Sequence, residues 1–379
     1  MRDPRVDRLA DLVVNYSLDL GNGEVVRIDG FDVAAPLALA LYRSALAAGA
    51  HPYTNLTLDG LAETLVESGS EEQLAYISPI QWHEIESIDA LVTIWSEHNT
   101  RSFSRADSGR HSRLIAARRQ LSNRRWERIA KGDMRWCGTL HPTYAHAQDA
   151  DMSLADYEDF FFAACHTDKE NPARHWKEVA RALGARAKEL ESVREVRIVG
   201  PDTDLRVGVA GRKWIAAEGR YNMPDGEVFT SPVETETMGQ IRYTFPAIFQ
   251  GREVEDVRLR FEGGRVVAAE ASRGDDYLQS LLGMDGGARI LGEVAFGLNY
   301  EIDRFTRNIL LDEKIGGTMH LALGAGFQQA GGKNSSALHW DMICDLRESG
   351  EVYADDELVW KDGAFLHEVP ALEVAGARG

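Results

Sequence analysis

Cysteine is scarce in this 379-residue chain: Cys137, Cys165 and Cys344 are widely spaced, odd in number and never paired as CxxC. A disulfide framework and a thiolate zinc site are both excluded as organising features, and a reducing, cytoplasmic setting is expected. Positive charge is also short, with 42 basic residues against 60 acidic ones and a formal net charge of −18. That balance excludes nucleic acid as a partner, because phosphate contacts need a basic surface. It suits solubility and leans toward cationic or metal partners. Long apolar runs are missing too. The Ala/Leu-rich stretch 34–50 is interrupted well short of a membrane span, and MRDPRVDRLADLVVNYS at the N-terminus is too charged for a secretory core, so no membrane partner is expected. Neither GxGxxG after the first strand nor GxSxG occurs, and His83-Glu84 lacks the second histidine of HExxH. Dinucleotide binding, a serine nucleophile and a thermolysin-like single-zinc site are therefore unsupported.

What remains is a globular composition, 44% hydrophobic and 27% charged, in a chain long enough for two domains. Residues 5–17, 34–50 and 60–78 carry helical periodicity, whereas EVVRIDG, HPYTNLT and IDALVTIWSE read as strands. That alternation predicts an α/β N-terminal domain with a parallel sheet over residues 1–190. The arginine-rich segment 105–135 reads as a solvated amphipathic helix. Beyond about 193, alternating segments such as VREVRIVG, TDLRVGVAG and GQIRYTFPAIF follow one another across Gly and Asp turns. Residues 191–379 are accordingly expected to form a β-rich α+β domain, with one helix around 273–296.

Chemistry concentrates in this second half. In SALHWDMICD (336–345) a strand would put His339 and Asp341 on one face and Trp340 and Met342 on the other. A parallel imidazole and carboxylate make half of a site for Zn, Co, Mn or Fe, although such a pair is more often only hydrogen-bonded. LLDEKIGGTMHLALG (310–324) sets Asp312 and Glu313 before His320 in an apolar strand. Glu227 stands alone between a Pro-Asp-Gly turn and Val-Phe, and Glu293 stands alone in the apolar ILGEVAFG, read as helical. A lone buried glutamate is costly unless a cation or an arginine pairs with it.

Together these segments resemble the M29 family of metal-dependent aminopeptidases, the aminopeptidase T family. The resemblance runs nearly end to end, through VNYS, AGAHPY, YISPI, NTRSFS and GTLHPTYAHAQDADMS, then PDGEVFTSPVE, RLRFEGGRVV, LGEVAFG, DEKIGGTMHLALG, GGKNSSALHWDMICD and DGAFL in the expected order. It implies metal ligands at Glu227, Glu293, His320, His339 and Asp341, with Glu293 in a position to serve both of two divalent ions (Zn, Co, Mn or Mg). It adds Glu313 as a further ligand or base, a homodimer, and a peptide or small amide as substrate. The implied reaction is metal-assisted hydrolysis of the first peptide bond, with no covalent intermediate.

One residue departs from the family pattern. Seven positions after His320, where the resemblance implies a tyrosine donor, stands Phe327. Loss of such a donor costs about 10²–10³ in turnover, roughly 3–4 kcal/mol. A slow peptidase, a shifted substrate and a Phe that merely packs in the core are all compatible with it. The alternative from another class is a mononuclear Fe(II) enzyme resembling the 2,5-dihydroxypyridine dioxygenases, which would use His320, His339 and Asp341 as a facial triad. Glu227 and Glu293, as ligands for a second ion, favour the hydrolase.

Overall fold

The computed structural model describes residues 3–367 and divides into two compact units, Met1–Ala173 with Gly219–Pro224, and Arg174–Glu218 with Asp225–Gly379. The helix Pro172–Leu190 thus groups almost entirely with the second unit.

In the first unit the strands His51–Thr57, Val25–Phe31, Ala90–Trp95, Arg135–Leu140 and the short Asn222–Met223 lie side by side in that order, all parallel. Parallel neighbours need crossover helices, and Ala35–Ala47 and Ser108–Lys131 supply two of them. The central strands bury Val26, Ile28, Leu91, Val92 and Ile94, while the other face of Val25–Phe31 carries the ion pair Arg27–Asp29. The arginine-rich helix starts on an Asp107 cap and stops at Gly132, which adopts a left-handed φ of 77°. Among the described residues no helix is long and apolar enough to cross a membrane.

The second unit is built on antiparallel sheets. An eight-stranded sheet runs from Arg265–Glu270 at one edge to Ala364–Phe365 at the other. A five-stranded sheet has the order His339–Asp345, Thr318–Gly324, Leu291–Gly297, Glu227–Thr230, Ile215–Ala217. One hydrophobic core joins them, with Ile198, Leu205, Ile241, Phe261 and Trp360 from the larger sheet and Val228, Val294, Phe296, Leu321, Trp340 and Met342 from the smaller. The helix Asp275–Leu282 adds Leu278, Leu281 and Leu282 to it.

The helix expected across 273–296 is a correction. It ends at Leu282, a glycine-rich turn follows, and Leu291–Gly297 is a strand. All seven residues of that strand are buried, so the polar/apolar alternation that betrays a one-sided strand is missing. Glu293 therefore belongs to a central sheet strand.

Candidate metal centre

Strand register explains how residues far apart in sequence meet. Across the small sheet, Glu293 pairs with Ala322 and Ala322 with Asp341, so these three form one row on one face. His320 lies two residues before Ala322, opposite Ala295, which in turn faces Phe229. Glu227 sits opposite Gly297, and His339 opposite Gly324. The floor between the functional side chains is made of Ala295, Gly297, Ala322 and Gly324. Their small size leaves room for long carboxylates and imidazoles to converge. The intervening residues Val228, Val294, Phe296, Leu321, Leu323, Trp340 and Met342 point the other way, into the core. Apolar packing on one face thus fixes the direction of the polar groups on the other.

The donor atoms are close but not bonded to one another. His320 Nε2 lies 3.4 Å from Glu227 Oε2 and 3.7 Å from Glu293 Oε1. His339 Nε2 lies 3.3 Å from Glu293 Oε2 and 3.5 Å from Asp341 Oδ1. These separations exceed ordinary N–H···O hydrogen bonds of about 2.7–3.2 Å. They match the roughly 3.3–3.4 Å expected between two ligands that are each about 2.0–2.1 Å from one tetrahedral ion. Two sets of three donors have all atoms within 4.8 Å of one another, Glu293–His339–Asp341 and Glu313–His320–Asp341. Asp341 is common to both. Glu293 directs one oxygen toward each imidazole. Glu227 belongs to neither set but borders His320.

Orphaned buried atoms make the same point. Glu227 Oε2, His320 Nδ1 and Asp341 Oδ1 are buried without a hydrogen-bond partner. Such atoms cost free energy unless something fills the space between them. Hard carboxylate oxygens and imidazole nitrogens are ligands for divalent cations, so the residues present fit the metal that the sequence implies. His339 is further oriented by a 2.9 Å contact from Nδ1 to the Ala325 carbonyl, which leaves Nε2 for the cluster.

Charge in the cluster is lopsided. Beside Glu293, the carboxylates of Glu227, Glu313 and Asp341 feel the buried ammonium of Lys314, whose Nζ donates to Glu313 Oε1 and whose side chain has no exposed surface. With both imidazoles neutral the carboxylates outnumber the ammonium, and the buried Asp225 adds to the excess. In the metal-free protein protons take up part of that excess. Burial lowers the His320 pKa, but Glu293, Glu227 and Asp341 outweigh it and raise it to about 10. His339 likewise rises well above the usual imidazole range, against burial, chiefly through Asp341. Burial opposes ionisation of Asp341, yet His339 together with His320 and Lys314 draws it down to about 2. Glu227 goes the other way, pushed well above the carboxylate range by burial despite Lys314. Burial also raises Glu313 against the pull of Lys314.

Lys314 escaped the sequence reading. In DEKIGG it looks like any exposed lysine, and the one available signal was its position between a candidate ligand and an apolar Ile-Gly-Gly turn. Asp312 is buried in a separate structural role, its Oδ1 accepting from the Thr306 N–H at 2.7 Å and hydroxyl at 2.8 Å. Burial lifts its pKa to about 7 against those bonds. Phe327 borders the centre, its ring edge-on to His339 at 5.2 Å and 5.0 Å from Phe229. Its backbone N–H donates to Ser231 Oγ at 2.8 Å. No donor comes from the side chain.

A sheet face that gathers buried carboxylates and imidazoles around shared, unbonded space is the face of a metalloprotein. Comparison with known proteins narrows the class. The family model of the thermophilic metalloprotease (M29) matches residues 2–365, and the chain belongs to that family. Aminopeptidase T of Thermus aquaticus is 39% identical over 145 residues, which is 35% of this chain and 36% of that protein. Aminopeptidase 2 of Geobacillus stearothermophilus is 26% identical over 352 residues, covering 86% of this chain and 84% of that one. The solved structure of wild-type AmpT from Thermus thermophilus has the same fold, with a TM-score of 0.85 at 23% identity over 96% of this chain and 99% of that one. The expected architecture, parallel α/β followed by β-rich α+β, is thereby established. The iron alternative finds no support here: among the described residues neither donor set holds both imidazoles, as its triad would require.

Proposed function

We propose that this protein is a metal-dependent aminopeptidase that releases N-terminal residues from peptides. The observation that carries the reading is the pair of donor sets joined by Asp341, lined with orphaned buried ligand atoms, in a chain of the thermophilic metalloprotease family. Glu293, His339 and Asp341 would hold one divalent ion. His320 and Asp341, with Glu227 beside His320, would hold the other, and Glu313 borders that set. Zn, Co, Mn and Mg all suit such mixed ligands.

Ions of this kind, when bound, acidify water and polarise a carbonyl. The protein's own share is orientation and proton handling. Glu313 is fixed by Lys314 and has a raised pKa, which fits it to take the proton from the attacking water and pass it to the leaving amine as the C–N bond breaks. The excess negative charge of the cluster suits a substrate's free α-ammonium group, which would restrict cleavage to the first residue. The Phe327 ring offers shape but no hydrogen bond to the developing oxyanion. Three buried free cysteines agree with a cytoplasmic setting, and a homodimer belongs to the same reading.

The test is turnover of dipeptides and aminoacyl anilides by the protein reconstituted with each metal, alongside Glu313→Gln. Metal-dependent release of the N-terminal residue, lost in the variant, is the expected result. A protein that binds two ions and cleaves nothing in the panel would refute the peptidase reading.

A further inference from the structure

Lys314 is a cation that cannot withdraw. Its side chain has no exposed surface. Its backbone is held on both sides, the N–H donating to the Leu311 carbonyl at 3.0 Å and the carbonyl accepting from the Asn299 N–H at 3.1 Å. The turn behind it is equally fixed, since Gly316 packs so closely on Tyr300 that a Cβ there would lie 2.5 Å from the Tyr300 Cα. Burial alone would lower the pKa of this ammonium, but Glu313, Glu227 and Asp225 outweigh it and hold it above the ordinary lysine range. Lys314 therefore stays charged and stays in place when another cation approaches.

The two donor sets lie unequally with respect to it. Lys314 Nζ donates to Glu313 Oε1, and the Glu313 carboxylate reaches within 4.8 Å of the donor atoms of His320 and Asp341. The ammonium is also among the charges that act most strongly on Glu227 and Glu313, whereas the groups acting most strongly on Glu293 are His320, His339 and Asp341. Glu293–His339–Asp341 keeps its three donors away from the Lys314–Glu313 contact. We infer that Lys314 makes the two halves of the centre unequal: Glu293–His339–Asp341 holds its divalent ion tightly, and the fixed ammonium keeps binding on the His320 side weak and exchangeable. The inference rests on the metal-dependent aminopeptidase reading and adds its regulation, because the centre is completed only as free metal rises and activity then follows metal supply. Two effects act in the same direction. An ion on the His320 side meets a like charge that cannot retreat, and Glu313 Oε1 is already engaged by that charge. At an effective dielectric of about 20, a unit charge about 6 Å from a divalent ion, its effect halved for relaxation, weakens binding by about 10²-fold.

The experiment is calorimetric titration of the metal-free protein with Mn, with metal analysis after dialysis, for the parent, His320→Gln, His339→Gln and Lys314→Met. The parent is expected to bind two ions with Kd values about 10²-fold apart. His320→Gln should lose the weaker ion and keep the tighter Kd within about threefold, and His339→Gln should lose the tighter one. Lys314→Met should tighten the weaker Kd by about tenfold or more and leave the tighter one within about threefold. Lys314→Gln, which keeps a hydrogen-bond donor for Glu313, provides the same comparison where the methionine variant does not fold. Equal affinities in the parent, or a weaker Kd that removal of the charge leaves unchanged or raises, overturn the inference while leaving the aminopeptidase reading intact. Two unequal ions released as expected, with no peptide cleaved, support the inference and refute that reading instead.

Discussion

Replacing Asp341 by Asn removes one negative charge from both donor sets at once and keeps the side chain's size. Its carboxylate is common to Glu293–His339–Asp341 and Glu313–His320–Asp341, with a side chain only 13% exposed, so water screens it little. At an effective dielectric of about 20, two unit charges about 4 Å apart interact by about 4 kcal/mol, and a divalent ion doubles that. Allowing generously for relaxation and for the amide oxygen that Asn retains, a loss of at least about 3 kcal/mol per ion is expected, or about 10²-fold in Kd. Titration calorimetry and metal analysis after dialysis against buffered Zn or Mn measure this directly. Asp341→Asn should weaken both ions together. His339→Gln, which touches one set, should weaken one. An Asp341→Asn protein that keeps two ions within threefold of the parent affinity would refute the shared-carboxylate geometry, whatever the enzyme's activity.

Phe327→Tyr restores a phenol beside His339, and turnover on the dipeptide panel should rise by about 10²-fold if the position faces the developing oxyanion; an unchanged kcat would mean that the ring only packs. Lys314→Met leaves Glu313 buried without its counter-charge, so the metal-free protein should lose about 3–5 kcal/mol in urea unfolding, and a loss below 1 kcal/mol would contradict the buried pair. The pH dependence follows from His320, whose pKa is about 10 in the metal-free fold against 6.5 for the free side chain. A raised folded pKa gives stability that is complete below about 6.5 and fades as pH climbs toward about 10. The metal-free Tm should therefore fall across that window. Metal affinity should rise with pH over the same range, because each ion displaces imidazole protons; Tm and Kd profiles that stay flat from pH 6 to 10 would rule this out.

Local chemistry carried much of this site in the sequence. In HWDMICD the alternation of polar and apolar residues puts His339 and Asp341 on one face, because a strand's period of two allows nothing else, whereas His320 stands as the single polar side chain of HLALG. The strand Leu291–Gly297 was misread for the converse reason: burial on both sides erases the period, so Glu293 carried no sign of its sheet. Lys314 was invisible because a lysine reads alike whether it is solvated or enclosed among carboxylates. Those two features depend on neighbours far away in the chain.

The sequence by itself determined which residue types could bind a cation, that the second half is β-rich, and that position 327 offers no donor. Only the tertiary structure decided that Asp341 belongs to both donor sets, that Glu227 borders His320, and that Lys314 is buried against Glu313. The reason is physical. Composition and periodicity act along the chain, whereas coordination and charge balance depend on cross-strand register, and register is set by packing across the sheet.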